Sequence, residues 1–204
     1  DDLVYSVVED PSNGTVSTED DKVTYTPNEN YNGQDTFTYK VNDGTVDSEL
    51  ATVNITIEAV NDIPTVENLN IEAVEQTNKI ITLSGNDLDN DDISYIIVSL
   101  PENGSIDDDN NLLDSNDIPF TLSSSNIIYK STSDTATSDT FTYKVNDGTV
   151  DSELATVTIT IEAVNDTPTV EDVSASLDED LSSEITLKGN DLDGDDLVYS
   201  VVED

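Results

Sequence analysis

One long stretch of this chain occurs twice. Residues 139–166, DTFTYKVNDGTVDSELATVTITIEAVND, repeat residues 35–62 with a single change, Thr158 against Asn54. Phe141, Tyr143 and Val145 alternate with Thr142 and Lys144, and Val157, Ile159 and Ile161 alternate with Thr158, Thr160 and Glu162. Successive side chains on a strand point to opposite faces, so a strict period of two marks a half-buried strand. The two strands are joined by a glycine-containing turn and stop at Asn-Asp-x-Pro, where proline fixes φ and lacks the N–H that a ladder needs. Each copy reads as the last hairpin of a β domain followed by a short, stiff linker.

Charge tests that reading. There are 46 acidic and 6 basic residues, a formal net charge of −40, and mean hydropathy is −0.40. Such values often accompany disorder. Here the apolar residues sit at strand period, so folded β structure is expected, with self-repulsion that something must relieve. Nucleic acid and anionic membrane surfaces are poor partners on the same ground. The chain has no Cys, His, Trp or Met. Disulfides and thiolate chemistry are therefore absent, and zinc lacks its preferred ligands. Carboxylates, Asn side chains and carbonyls remain, and these suit a hard cation. No apolar run approaches the roughly twenty residues a membrane helix needs.

A second repeat sets the domain plan. Residues 1–10, DDLVYSVVED, are identical to residues 195–204, and DDISYIIVSL at 91–100 is a diverged copy. The chain reads as a window on a tandem array: residues 1–62 the later part of repeat A, 63–166 a complete repeat B, and 167–204 the opening of repeat C. Short strands are expected at 3–8, 15–17 and 22–25, and in repeat B around 66–74 and 79–83. They are punctuated by Asp10-Pro11-Ser12-Asn13-Gly14 and Tyr31-Asn32-Gly33. Repeat B is longer in its middle, near DDDNNLLDSNDIPFTLS (residues 107–123), an insertion expected to extend an edge hairpin. No segment has a helical period. A unit near one hundred residues with about seven strands has the size of an immunoglobulin-like sandwich.

The sharpest acidic constellation is Asp191-Leu192-Asp193-Gly194-Asp195-Asp196, matched by Asp87-Leu88-Asp89-Asn90-Asp91-Asp92. Carboxylates at alternate positions, with Gly or Asn permitting a tight bend, can wrap one cation with oxygens at about 2.3–2.6 Å. An EF-hand would end its loop on Glu, but the corresponding positions hold Val98 and Val202.

The combined pattern NGTV…YTPNxNYNGxDTFTYKVNDG…ATVxITIxAVNDxP resembles the cadherin-like and immunoglobulin-like tandem repeats of giant bacterial surface adhesins. The resemblance covers the whole chain. It implies an all-β fold of Greek-key sandwiches joined end to end, export to the cell surface, and Ca2+ at the junctions. The ligands it implies at one junction are Asp87, Asp89, the linker residues Asn61 and Asp62, and Asp147, with Asp91 added by the loop pattern itself. At the next they are Asp191, Asp193, Asn165 and Asp166, with Asp195 again added by the loop pattern. It also implies an acid from the end of the first strand, Glu75 in repeat B, and from the start of the Phe-Thr-Tyr strand, Asp35 or Asp139. Repeat C ends its first strand with Leu177-Asp178-Glu179-Asp180 and repeat B with Ala73-Val74-Glu75-Gln76. The junction below repeat B is thus expected to hold fewer or weaker ions.

Carboxylates gathered at a junction repel one another, and a cation tied to both sides would stiffen it. The expected function is therefore a non-enzymatic, calcium-stiffened spacer of a secreted or surface-anchored bacterial adhesin. Its partners are calcium, neighbouring repeats and, as alternatives, further copies of the chain in a fibre or a cell-surface glycan or protein. Paired acids also serve glycoside hydrolysis, but these recur per repeat beside linkers, with no Trp platform.

Overall fold

The computed structural model describes residues 3–202, and the chain divides between Asp62 and Ile63 into two compact units. Among the described residues there is no helix.

Unit 1 contains β1 (Val4–Glu9), β2 (Gly14–Glu19), β3 (Lys22–Pro27), β4 (Gly33–Asn42) and β5 (Ala51–Ile57). Antiparallel β1-β4-β5 form one sheet and the β2-β3 hairpin faces it as a second. The strands lie where the period of two places them.

Unit 2 contains β6 (Thr65–Val66), β7 (Leu69–Val74), β8 (Asn78–Thr82), β9 (Gly85–Asn86), β10 (Ser94–Ser99), β11 (Gly104–Asp108), β12 (Asn111–Leu112), β13 (Phe120–Thr121), β14 (Asn126–Ser131), β15 (Ser138–Asn146), β16 (Ala155–Glu162), β17 (Thr169–Val170) and β18 (Gly189–Asn190). One sheet has the order β13-β10-β15-β16-β7 and the other β12-β11-β14-β8. Strand β7 runs parallel to β16, so the first long strand closes on the last, and its neighbours pair antiparallel. Seven long strands in two facing sheets make the expected sandwich. The inward positions of the repeated hairpin, Phe141, Tyr143, Val157 and Ile159, are at most 1% exposed and pack with Ile81, Leu83, Ile97, Ile106 and Ile127. Each such side chain contributes about 1.5–3 kcal/mol on burial.

Gly104 lies under the Tyr129 ring: a Cβ there would sit 2.3 Å from a ring carbon. Only glycine permits that approach, and Gly14 with Tyr25 repeats it in unit 1 at 2.6 Å.

The insertion does more than lengthen an edge hairpin. Strand β12 does extend β11, but β13 crosses to the outer edge of β10 in the other sheet. Buried Asp108 fastens the crossing, accepting the Ser123 N–H at 2.9 Å and its hydroxyl at 2.7 Å, while Leu113 and Leu122 join the core. Half-buried Phe120 packs on that core, so it supplies no exposed aromatic platform. Residues 167–202 carry only the two-residue ladder β17-β18.

Candidate metal centre

Two acidic centres form in unit 2. The first follows β9. Asp87 is 7% exposed, and its Oδ1 accepts the N–H groups of Asp89 at 2.9 Å and Asp91 at 3.1 Å. The chain bends back on itself because Asn90 adopts φ 64°, as Gly194 does with φ 78° at the matching position of the second loop. That left-handed conformation is why Asn or Gly stands there. The fold brings carboxylate oxygens of Asp87, Asp89 and Asp91 within 4.8 Å of one another, while Leu88 points outward.

The second centre joins segments far apart in sequence. Oxygens of Asp191, Asp193 and Asp195 lie within 4.8 Å of one another, and Asp193 also groups with Glu75 and Asp166 at that separation. Asp195 N–H donates to Asp191 Oδ1 at 3.2 Å, and Asp166 N–H donates to Asp193 Oδ2 at 2.6 Å. Glu75, 1% exposed at the end of β7, accepts the Val164 N–H on Oε1 at 2.6 Å. The end of a strand, the Asn-Asp linker and the loop after β18 thus converge. The linker is braced locally: Asn165 Nδ2 donates to the Asp166 carbonyl at 2.9 Å, and Asn61 and Asp62 repeat that contact in unit 1.

Whether these residues fit a hard cation is decided by two oxygens. Glu75 Oε2 and Asp87 Oδ2 are fully buried and have no hydrogen-bond donor. A buried carboxylate oxygen without a donor costs on the order of 1–3 kcal/mol, more when charged. One such atom belongs to each centre, and each is surrounded by further carboxylates rather than by cationic side chains. The ligand set is all oxygen, which fits a hard divalent ion.

Other expected ligands are used differently. Asp35 and Asp139 are 5% exposed and join neither centre; each clamps a turn. Asp139 accepts N–H groups from Glu102 and Asn103 at 3.0 Å and Thr140 at 2.9 Å, plus the Tyr129 hydroxyl at 3.0 Å. Asp35 accepts the matching set from Ser12, Asn13, Thr36 and Tyr25. Four donors occupy the lone-pair directions that a cation would need, which corrects the expectation for both residues. Burial acts to raise the Asp35 pKa, but the hydrogen bonds from Asn13, Tyr25, Thr36 and Ser12 outweigh it and hold the carboxyl below the usual range. Burial and then the hydrogen bond to Asp35 push the Tyr25 hydroxyl up to about 12, and burial with the Asp139 charge raises Tyr129 likewise. Asp147 is 8% exposed and belongs to neither three-acid group. Its Oδ1 holds the Asn-Asp-Gly turn through the Thr149 N–H and hydroxyl and the Val150 N–H, at 2.7–2.8 Å.

Gln76, read from the sequence only as part of a less acidic strand end, takes a place at the second centre. Gln76 Nε2 donates to Asp166 Oδ2 at 3.0 Å and to Asp134 Oδ1 at 2.9 Å. Its counterpart 104 residues on is Asp180, and that exchange of amide for acid is the contrast seen in the sequence; what the sequence did not show is that the amide donates to two carboxylates.

Residues 1–56 match the family model described as bacterial Ig domain, and residues 64–161 that described as cadherin-like. The two matched stretches follow one another along the chain. Integrin beta-like protein A of Dictyostelium discoideum is 31% identical over 193 residues, covering 89% of this chain and 10% of the relative. Integrin beta-like protein E of the same organism is 26% identical over 205 residues, with the same coverage. The chain thus spans about a tenth of the length of these curated relatives. In structure, the chain is similar to human CDH23 EC21-23 with TM-score 0.60 at 16% identity, covering 94% of this chain and 69% of that one. Human mucin-like protocadherin EC1-2 follows at TM-score 0.52 and 13% identity, covering 80% and 86%. At such identity the likeness establishes the cadherin-type sandwich fold alone.

Proposed function

We propose that this chain is a spacer segment of an extracellular adhesive protein, in which calcium held at the acidic centres stiffens successive repeats. In this reading residues 63–166 are a complete repeat and residues 167–204 open the next. The observation that carries it is the pair of buried, donor-less oxygens, Glu75 Oε2 and Asp87 Oδ2, each set among further carboxylates. Asp87, Asp89 and Asp91 would hold one ion; Glu75, Asp166, Asp191, Asp193 and Asp195 would hold others. The net charge of −40 and the names of the integrin beta-like relatives support the same reading.

Bound calcium supplies the positive charge that these centres lack. The rest follows from the chain. Glu75 fixes the end of β7 through the Val164 N–H, and Asp166 fixes the linker to Asp193, so the acids are already anchored to different segments. Neutralising their repulsion holds those segments together, and binding that requires the assembled geometry stabilises it by mass action. At extracellular calcium levels, affinity on the order of 10⁻⁴–10⁻³ M suffices.

The test is a thermal melt with calcium against excess chelator, with small-angle scattering on the same samples. A calcium-dependent rise in melting temperature together with a greater maximum dimension is expected. If neither moves, or sodium and magnesium act equally, the acids are solvated surface and the proposal fails.

A further inference from the structure

A neutral amide sits among the acids of the second centre. Gln76 follows Glu75 in the turn after β7, in the left-handed conformation with φ 57°. Its side chain is exposed, yet Nε2 donates to Asp134 Oδ1 at 2.9 Å and to Asp166 Oδ2 at 3.0 Å. A side-chain amide carries two donors on one nitrogen, and only that end can face two carboxylates, because its carbonyl oxygen would meet their lone pairs. The nitrogen therefore stands between acids from two segments, the loop between β14 and β15 and the linker after β16. Oxygens that close to one nitrogen are spaced nearly as around a hard cation, whose ligands stand at about 2.3–2.6 Å.

Both acids are held where the amide finds them. Asp166 is fixed through its own N–H on Asp193 Oδ2 at 2.6 Å. Asp134 stands in a loop braced by Ser133, whose Oγ accepts the Ala136 N–H and whose carbonyl accepts the Ser131 hydroxyl, each at 3.1 Å. A separate observation points to a cation at this centre. Glu75 is 1% exposed, and its Oε2 has no donor while Oε1 accepts the Val164 N–H. The Gln76 amide thus satisfies Asp134 and Asp166 but leaves the buried oxygen of Glu75 to an ion.

We propose that Gln76 stands in for a cation: its amide fills a position that Asp134 and Asp166 would otherwise offer to an additional divalent ion, and so limits how many ions the second centre holds. The inference rests on the reading of that centre as a calcium site. It adds to the centre a further acid, Asp134, which joins no three-acid group among the described residues. The amide brings no charge, so it ties loop to linker at every calcium concentration, whereas an ion ties segments only while bound. The chain itself shows the exchange: 104 residues on, Asp180 takes the place of Gln76 with the same left-handed backbone, φ 68°.

Gln76→Glu tests this, because it keeps the shape of an exposed side chain, removes both donors and sets a third carboxylate beside Asp134 and Asp166. Equilibrium dialysis of the whole chain against calcium counts bound ions, with circular dichroism confirming unchanged β structure. Q76E should bind one more calcium ion per chain than the parent, and D134N added to Q76E should return the count to that of the parent. D134N alone should leave the count unchanged, because in the parent that acid serves the amide. The proposal is overturned if Q76E binds as many ions as the parent, whatever their affinity. It is equally overturned if D134N fails to reverse the gain, or if D134N alone loses an ion. A parent that binds no calcium beside a Q76E chain that binds one would sink the spacer reading and leave the role of Gln76 standing; if neither binds, both fall.

Discussion

Asp87→Asn should lower the melting temperature of unit 2 in calcium and leave it unchanged or raise it in chelator. In the free protein Asp87 Oδ1 accepts two loop N–H groups, which the Asn carbonyl oxygen can still do, while Oδ2 is buried without a donor. The substitution therefore keeps the bend and removes a buried, unsatisfied charge of the kind that costs on the order of 1–3 kcal/mol. In calcium the balance reverses. An ion present at one hundred times its dissociation constant stabilises the fold by about 2.7 kcal/mol. If losing one carboxylate weakens binding tenfold, about 1.4 kcal/mol of that is lost, or roughly 5–10 °C in a domain of this size. Differential scanning calorimetry of parent and variant in both conditions measures it. An equal loss with and without calcium would refute the reasoning, because Asp87 would then be only a turn acceptor.

Two further substitutions probe the clamps that were expected to be ligands. Asp139→Ala strands the Tyr129 hydroxyl and the N–H groups of Glu102 and Asn103, so it should cost about 3 kcal/mol or more in a urea titration. The calcium-induced shift in melting temperature should survive it. Tyr25→Phe reports on the same clamp in unit 1. Folding raises the Tyr25 pKa from 10.0 to about 12, so the folded state favours the protonated hydroxyl. Its contribution is complete below pH 10 and is lost as pH rises through about 12. The stability difference between parent and Tyr25→Phe should therefore shrink across that window.

The strands of both units were legible because period-two alternation is a local property of the chain: Phe141, Tyr143 and Val145 of β15 and Val157, Ile159 and Ile161 of β16 could be named as inward from the repeat. The acidic loops were legible for a similar reason, since Asp-x-Asp with Asn or Gly dictates its own bend. Ligand assignments failed where the deciding partner is remote. Asp35 and Asp139 look like strand-end acids, and only the approach of Tyr25 and Tyr129 over Gly14 and Gly104 reveals them as clamps. Gln76 could be read only as part of a less acidic strand end until the fold set it beside Asp134 and Asp166.

The repeats separate the two kinds of information. Residues 1–10 and 195–204 are identical, yet Val4–Glu9 form β1 against β4 while residues 198–202 form no strand. Tyr39 and Tyr143 stand in identical sequence, yet Tyr143 is sealed at 0% exposure and Tyr39 is half-buried. The sequence alone determined which faces are apolar, where strands stop and which loops concentrate charge. The tertiary structure decided which strands find a partner, which faces are covered and which carboxylates converge, because a strand's hydrogen bonds and a buried oxygen's neighbours come from residues far along the chain.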